Sequence, residues 1–123
     1  FVARAYAVDI LDTKRIFKEA IKHKGFAYVE VVQPCIFFLD TRDYFKRNLY
    51  KTNETEKGDK EKALAKVREW NYEYKEMKIP YGIFYQANKT TFEEGEPQLK
   101  GLLDSKKGWW EIERKFDVKR FLE

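Results

Sequence analysis

Phe1-Val2-Ala3-Arg4-Ala5-Tyr6-Ala7 opens the chain, and Phe26-Ala27-Tyr28-Val29-Glu30-Val31-Val32 follows after one helix-like stretch. In the first run Phe1, Ala3, Ala5 and Ala7 share one face of a strand, while Val2, Arg4 and Tyr6 share the other. The second run is almost continuously apolar, the pattern of a strand covered on both faces. Between them Asp9 reads as a helix N-cap, because its carboxylate can accept from exposed backbone N–H groups. Asp12 suits the positive end of the same helix. The helix runs from about Ile10 to Lys24, with Ile16, Phe17, Ala20 and Ile21 as its apolar stripe and Lys14, Lys18 and Lys22 on more polar positions. Gly25 suits the left-handed cap that ends it. Strand, helix and strand in close succession predict a βαβ unit with parallel strands and a right-handed crossover.

Working outward, Gln33-Pro34-Cys35 ends the second strand, since Pro34 has no N–H to continue the ladder. In open parallel sheets ligands gather just beyond the carboxyl ends of strands, and Cys35 stands at such a position. Residues 40–59 are charged and turn-rich. A short amphipathic helix around Asp43–Tyr50 would let Tyr44, Phe45 and Leu49 touch the body, and Thr52 to Asp59 reads as an exposed loop. Asp59 caps a further helix from about Lys60 to Met77, with Ala63, Val67, Trp70, Tyr74 and Met77 as its stripe. Pro80 is expected to end that helical stretch, and Gly82 to Tyr85 to form a short extended piece. From Gln86 to Glu123 the chain reads as a tail wrapped over another surface and anchored by Trp109, Trp110, Phe116, Val118, Phe121 and Leu122. The expected organisation is a βαβ unit over 1–39, ending at the Cys35 loop. A helical segment and wrapping tail of the same domain then take 40–123.

The chain's 123 residues suit one domain. Hydrophobic residues at 43% and charged residues at 37% fit neither a membrane chain nor a disordered tail. Aromatic residues reach 17%, enough to fill a core. No window approaches the roughly 18 apolar residues of a spanning helix. No secretory signal and no initiator Met opens the sequence, so a piece of a longer protein or a processed product is expected. One cysteine excludes an internal disulfide framework and an all-cysteine zinc site, and is consistent with a reducing cytoplasm. The Lys- and Glu-rich surface also suits a thermophile. The net charge of +4 lies entirely in residues 1–51, which hold ten Lys/Arg against six Asp/Glu. That half is able to attract nucleic acid, phosphate cofactors or an acidic protein, although a solvated mixed-charge surface accounts for it as simply.

Dinucleotide-binding, P-loop, zinc-protease and nucleophile-elbow patterns are all absent. His23 sits between two lysines and reads as a surface histidine with no partner for base catalysis. Trp70, Trp109 and Trp110 read as packing groups rather than stacking platforms, because no basic run interleaves with the pair. Cys35 keeps two readings open: a small buried hydrophobe, or a thiolate that shares a metal or cluster with cysteines outside this chain.

Four stretches then occur in a telling order: Phe1-Val2-Ala3-Arg4, Glu19-Ala20-Ile21-Lys22-His23-Lys24-Gly25-Phe26, Val32-Gln33-Pro34-Cys35 and Ile79-Pro80-Tyr81-Gly82-Ile83-Phe84-Tyr85. The series resembles the C-terminal half of the β subunit of 2-oxoacid:ferredoxin oxidoreductases, the pyruvate and 2-oxoglutarate enzymes. The likeness is tight over 1–36 and 78–86 and looser elsewhere. It implies an α/β fold, the C-terminal part of a thiamine-diphosphate-binding-type fold, with a parallel βαβ unit followed by helices and an extended tail.

The resemblance also implies a function. The family decarboxylates a 2-oxoacid on thiamine diphosphate, passes electrons through iron–sulfur chemistry to ferredoxin and transfers the acyl group to coenzyme A. The family's Gly-Asp-Gly-rich diphosphate- and Mg2+-binding motif and its N-terminal cysteine pair lie upstream and are absent here, so the fragment alone is expected to be inactive. The cysteine after Gln-Pro is the family's late, isolated ligand of a 4Fe–4S cluster, and Cys35 matches it. No catalytic residue and no other cofactor-binding residue is implied. Ile36-Phe37-Phe38-Leu39-Asp40 is more apolar than the family's run at this point. The implied partners are the α subunit, ferredoxin, coenzyme A and a 2-oxoacid, in a cytoplasmic oligomer without membrane or nucleic acid. Two other classes stay in view. One is a docking module without activity, and the other is a basic nucleic-acid binder, which the lack of a continuous basic run disfavours.

Overall fold

The computed structural model describes residues 1–71, 77–105, 107 and 111. The chain divides into two compact units, Phe1–Lys89 and Thr90–Glu123. The first contains β1 (Val2–Tyr6), α1 (Ile10–Lys22), β2 (Tyr28–Val32), α2 (Arg42–Asn48), β3 (Leu49–Lys51), a 3-10 turn (Glu54–Glu56), α3 (Lys60–Val67) and β4 (Ile79–Tyr85). These make a mixed α/β fold around a four-stranded sheet of order β2-β1-β4-β3.

The βαβ expectation is met in its strands. β1 and β2 pair in parallel from Val2–Tyr28 to Tyr6–Val32, joined through α1. Asp9 caps α1 by accepting from the Asp12 N–H at 3.1 Å, and Gly25 takes a φ of 104° beyond the helix end. Phe1, Ala3 and Ala5 turn one face of β1 inward, where they meet Ile16 of α1 and Ile83 of β4. Short alanines let the helix seat Ile16 fully, a burial that contributes about 1.5–3 kcal/mol.

The opposite face of β1 carries Arg4, only 5% exposed. A buried guanidinium costs several kcal/mol unless it is paired and hydrogen-bonded. Its Nε donates to Glu30 Oε2 at 2.7 Å and its Nη1 to the Pro80 carbonyl at 3.1 Å. The Trp70 ring centre lies 4.6 Å from the guanidinium carbon and that of Phe84 5.4 Å, so two aromatic rings adjoin the cation.

Several expectations are corrected. β2 is an edge strand: among the described residues β1 is its one strand partner, and Tyr28 and Val31 are exposed. Its apolar run therefore does not signal burial on both faces within this chain. In α1 only Ile16 and Ala20 of the expected stripe turn to the core. Phe17 and Ile21 lie about 100° around the helix and face outward with Ile10. The helix expected to reach Met77 ends at Val67. Trp70 leaves the helical stripe to cover Arg4, Met77 precedes β4, and Tyr74 lies outside the described residues. Asp59 does cap this shorter helix, accepting from the Glu61 and Lys62 N–H groups at 3.0 and 3.1 Å.

Pro80 does not end a helix but sits second in β4, a central strand longer than the short piece expected. The antiparallel pairing with β1 runs from Val2–Tyr85 to Arg4–Gly82 and stops before Pro80, so that side asks no N–H of it. β3, unforeseen from the sequence, pairs in parallel with β4. Nor is 52–59 an exposed loop throughout. Thr52 is buried, and its N–H donates to the Tyr81 carbonyl at 2.8 Å. Gly82 takes a φ of 130°, and a Cβ there would lie 2.5 Å from Thr52 Oγ1, so this position requires glycine. Tyr44, Phe45 and Leu49 are half-buried, as their spacing suggests.

The second unit contains α4 (Phe92–Gly95), a 3-10 turn (Pro97–Leu99) and α5 (Lys100–Ser105). Thr91 and Glu94 form a reciprocal capping box on α4. The stretch expected to be an extended tail thus begins as short helices. Its anchors Trp109, Trp110, Phe116, Val118, Phe121 and Leu122 lie outside the described residues.

Candidate functional site

Cys35 follows directly from the end of β2. The Ala7 N–H donates to the Val32 carbonyl at 2.9 Å, holding the strand end against β1, and Pro34 then turns the chain away. Cys35 begins a short loop that returns on itself at Thr41. The Cys35 N–H donates to Thr41 Oγ1 at 2.8 Å, and the Thr41 N–H donates to the Cys35 carbonyl at 2.9 Å. Between these closures Ile36, Phe37, Phe38 and Leu39 project into solvent, Phe37 at 91% exposure and Phe38 at 98%.

Asp40 ends the loop, just ahead of Thr41 and α2. Its Oδ1 accepts the Arg42 N–H at 3.1 Å, and its carboxylate grips the Arg42 guanidinium, with Nη2 to Oδ2 at 2.6 Å. That grip holds the Asp40 carboxyl at about 2.

Of the two sequence readings of Cys35, the buried hydrophobe is excluded within this chain: the thiol is free and exposed. The backbone N–H groups of Phe38, Phe37 and Leu39 hold it below the usual thiol range, with the Asp40 charge opposing. A soft, exposed sulfur whose thiolate form is favoured is suited to one corner of an iron–sulfur cluster. It does not fit a whole cluster. No group of three or more His, Cys, Asp or Glu that could hold a metal occurs among the described residues.

Beside the loop, at the carboxyl ends of β1 and β2, lies a cleft of about 600 Å3. Tyr6, Tyr50 and Tyr81 line it together with Arg42, Lys46 and Lys51. Two of its cations are engaged, Arg42 with Asp40 and Lys51 with buried Asp12 at 2.6 Å. Sequence reasoning missed these tyrosines, because they come from three different strands. It also missed Thr41, whose signal is its place just before a helix and close behind the cysteine.

His23 is placed away from this site. It is half-buried, its ring 5.7 Å from that of Phe1, and its Nε2 lies 3.5 Å from the Phe1 amino group. Burial lowers its pKa and favours the neutral ring. Trp70 is engaged with Arg4 and meets Phe45 edge-on, with ring centres 6.5 Å apart. No helix among the described residues is long and apolar enough to cross a membrane.

Comparison with known proteins places the chain as a whole. A β subunit of 2-oxoacid:ferredoxin oxidoreductase from Saccharolobus solfataricus is 41% identical over 70% of this chain and 31% of its own length. Subunit beta of 2-oxoacid:ferredoxin oxidoreductase 1 from Aeropyrum pernix is 37% identical over 76% of this chain and 33% of its own. The chain thus spans about a third of the length of the curated relatives it matches. In fold it is similar to a 2-oxoglutarate:ferredoxin oxidoreductase from Magnetococcus marinus, solved with 2-oxoglutarate, coenzyme A and succinyl-CoA bound. There the TM-score is 0.67 at 22% identity, covering 98% of this chain and 38% of that one. Residues 37–101, more than half of the sequence, match the family model for the C-terminal part of the pyruvate ferredoxin oxidoreductase β subunit. The chain belongs to that family and is part of a 2-oxoacid:ferredoxin oxidoreductase β subunit.

Proposed function

We propose that the intact protein converts a 2-oxoacid and coenzyme A to carbon dioxide and acyl-coenzyme A, passing the released electron pair to ferredoxin. Within it, Cys35 supplies one thiolate to a 4Fe–4S cluster. The observation that carries this reading is the exposed Cys35 thiol at the end of β2, held in a loop closed by hydrogen bonds between Cys35 and Thr41. When bound, thiamine diphosphate with Mg2+ supplies the decarboxylation chemistry and the cluster takes up electrons. This chain's residues orient rather than react: Pro34 turns the thiol away from the sheet, and the 37–39 amides favour the thiolate. Cys35 is a ligand, not an acid or base.

The chain alone has no catalytic activity, because one thiolate cannot hold a cubane and the diphosphate-binding motif lies in another part of the protein. Its partners are the remainder of the β subunit and an α subunit, in a cytoplasmic oligomer that binds neither nucleic acid nor membrane. A docking role accompanies this reading. It is supported by Ile36, Phe37, Phe38 and Leu39, which find no cover within the first unit of the fold.

The test is Cys35→Ser in the full-length complex, with iron content and low-temperature electron paramagnetic resonance measured. Altered cluster signals and lower iron are expected. Unchanged signals together with unchanged ferredoxin reduction would leave Cys35 an ordinary surface cysteine. The chain alone, given thiamine diphosphate, 2-oxoacid, coenzyme A and ferredoxin, is expected to reduce nothing.

A further inference from the structure

We propose that Thr41 is a positioning residue for Cys35, a hydroxyl withdrawn from the start of α2 to lock the loop that presents the thiol. The inference rests on the reading of Cys35 as a cluster ligand for its consequence, but not for its geometry. Thr41 occupies the N-cap position of α2, where a threonine hydroxyl ordinarily accepts a backbone N–H from the first helical turn. Here that capping bond is missing. The hydroxyl instead accepts the Cys35 N–H at 2.8 Å and lies 3.4 Å from the Cys35 carbonyl oxygen, to which it can donate. Asp40 takes over at the helix start by accepting the Arg42 N–H. The usual capping residue has been diverted to the loop, and its neighbour does its work.

The diversion matters because, within the described residues of this chain, packing does not hold the loop. Ile36, Phe37, Phe38 and Leu39 are all exposed, so burial contributes little to their conformation. What this chain supplies is Pro34 at the loop's start, the bonds between Cys35 and Thr41 at its base and the Asp40–Arg42 pair beside them. A β-branched threonine has few χ1 options, which keeps the hydroxyl on target. In the loaded subunit, backbone N–H groups near a ligating sulfur stabilise the more negative, reduced cluster. A loop that loses its base lock lets those amides turn away, and the potential falls.

Two variants in the intact complex test this. Thr41→Val keeps the shape and removes the hydroxyl, whereas Thr41→Ser keeps the hydroxyl. After iron is stripped, amide hydrogen exchange over residues 35–41 is expected to quicken about tenfold in Thr41→Val, the factor carried by about 1.4 kcal/mol. It should stay near wild type in Thr41→Ser, with the rest of α2 unchanged in both. In the iron-loaded complex the cluster's midpoint potential, followed by electron paramagnetic resonance, is expected to be more negative in Thr41→Val and restored in Thr41→Ser. Unchanged exchange in Thr41→Val overturns the lock itself, and faster exchange with an unchanged potential overturns its role toward the cluster. A Cys35→Ser complex with an unaltered cluster overturns the ligand reading instead, and the exchange measurement separates that failure from failure of the lock.

Discussion

Glu54 Oε1 accepts the backbone N–H of Ile83 at 3.1 Å, so a side chain from the 3-10 turn satisfies a donor in the central strand β4. The same carboxylate takes both terminal nitrogens of Arg15 on α1, Nη1 to Oε2 at 3.0 Å and Nη2 to Oε1 at 2.5 Å. One glutamate thereby ties α1, β4 and the segment after β3 together. The Arg15 guanidinium also reaches Asp12 Oδ1 at 2.8 Å, and Lys51 reaches the same oxygen.

Removing Glu54 leaves a buried N–H and a cation without their shared acceptor. Glu54→Ala is expected to destabilise the chain by about 1–3 kcal/mol, the cost of stranding such groups. Urea denaturation checks it: the midpoint should fall with the slope unchanged. An unchanged midpoint would show that water replaces the carboxylate without loss.

Asp12 sets an acid limit. Burial pushes its carboxyl up, but hydrogen bonds from Arg15 and Lys51 outweigh this and hold it below the ordinary carboxylate range. A folded-state pKa below the unfolded one means a contribution fully present above about pH 4 and lost as the pH falls through the folded value. Asp12→Asn should therefore be less stable than wild type at pH 7, and the gap should close below about pH 4. Denaturant midpoints across the pH range measure this, and a gap independent of pH would disprove it.

Gly82→Ala faces two obstacles at once, a φ of 130° and the Thr52 hydroxyl in the space a Cβ needs. A loss of about 1–3 kcal/mol is expected. Gly82→Ala with Thr52→Ala should recover part of it, because the clash is removed while the backbone strain stays. A double variant no better than the single one would mean that the clash is relieved by movement elsewhere.

Cys35 in the chain without iron should label to completion with a thiol reagent and no denaturant, since it is exposed. Its lowered pKa raises the thiolate fraction at neutral pH, so alkylation should run faster than for an unperturbed cysteine. Labelling that waits for denaturant would show the loop closed over the thiol.

The pairing of β1 with β2 and the place of Cys35 just past β2 were legible in the sequence, because both depend on short-range rules. Alternation along Phe1–Ala7, the Asp9 cap, Gly25 and Pro34 each act within a few residues. Even the resemblance to the family rests on such local runs. What the tertiary structure decided lies at longer range. It put β4 between β1 and β3, turned Pro80 from a helix stop into a strand residue and cut α3 at Val67 so that Trp70 could cover Arg4. It left Phe17, Ile21 and the 36–39 run exposed, although composition alone would bury them. Thr41 shows the limit most plainly. The sequence reading passed over it, and only the return of the loop brings the Cys35 N–H within 2.8 Å of its hydroxyl. Local propensity ranks the conformations open to each residue, but which hydrogen-bond partner a side chain takes depends on segments that meet only when the sheet is assembled.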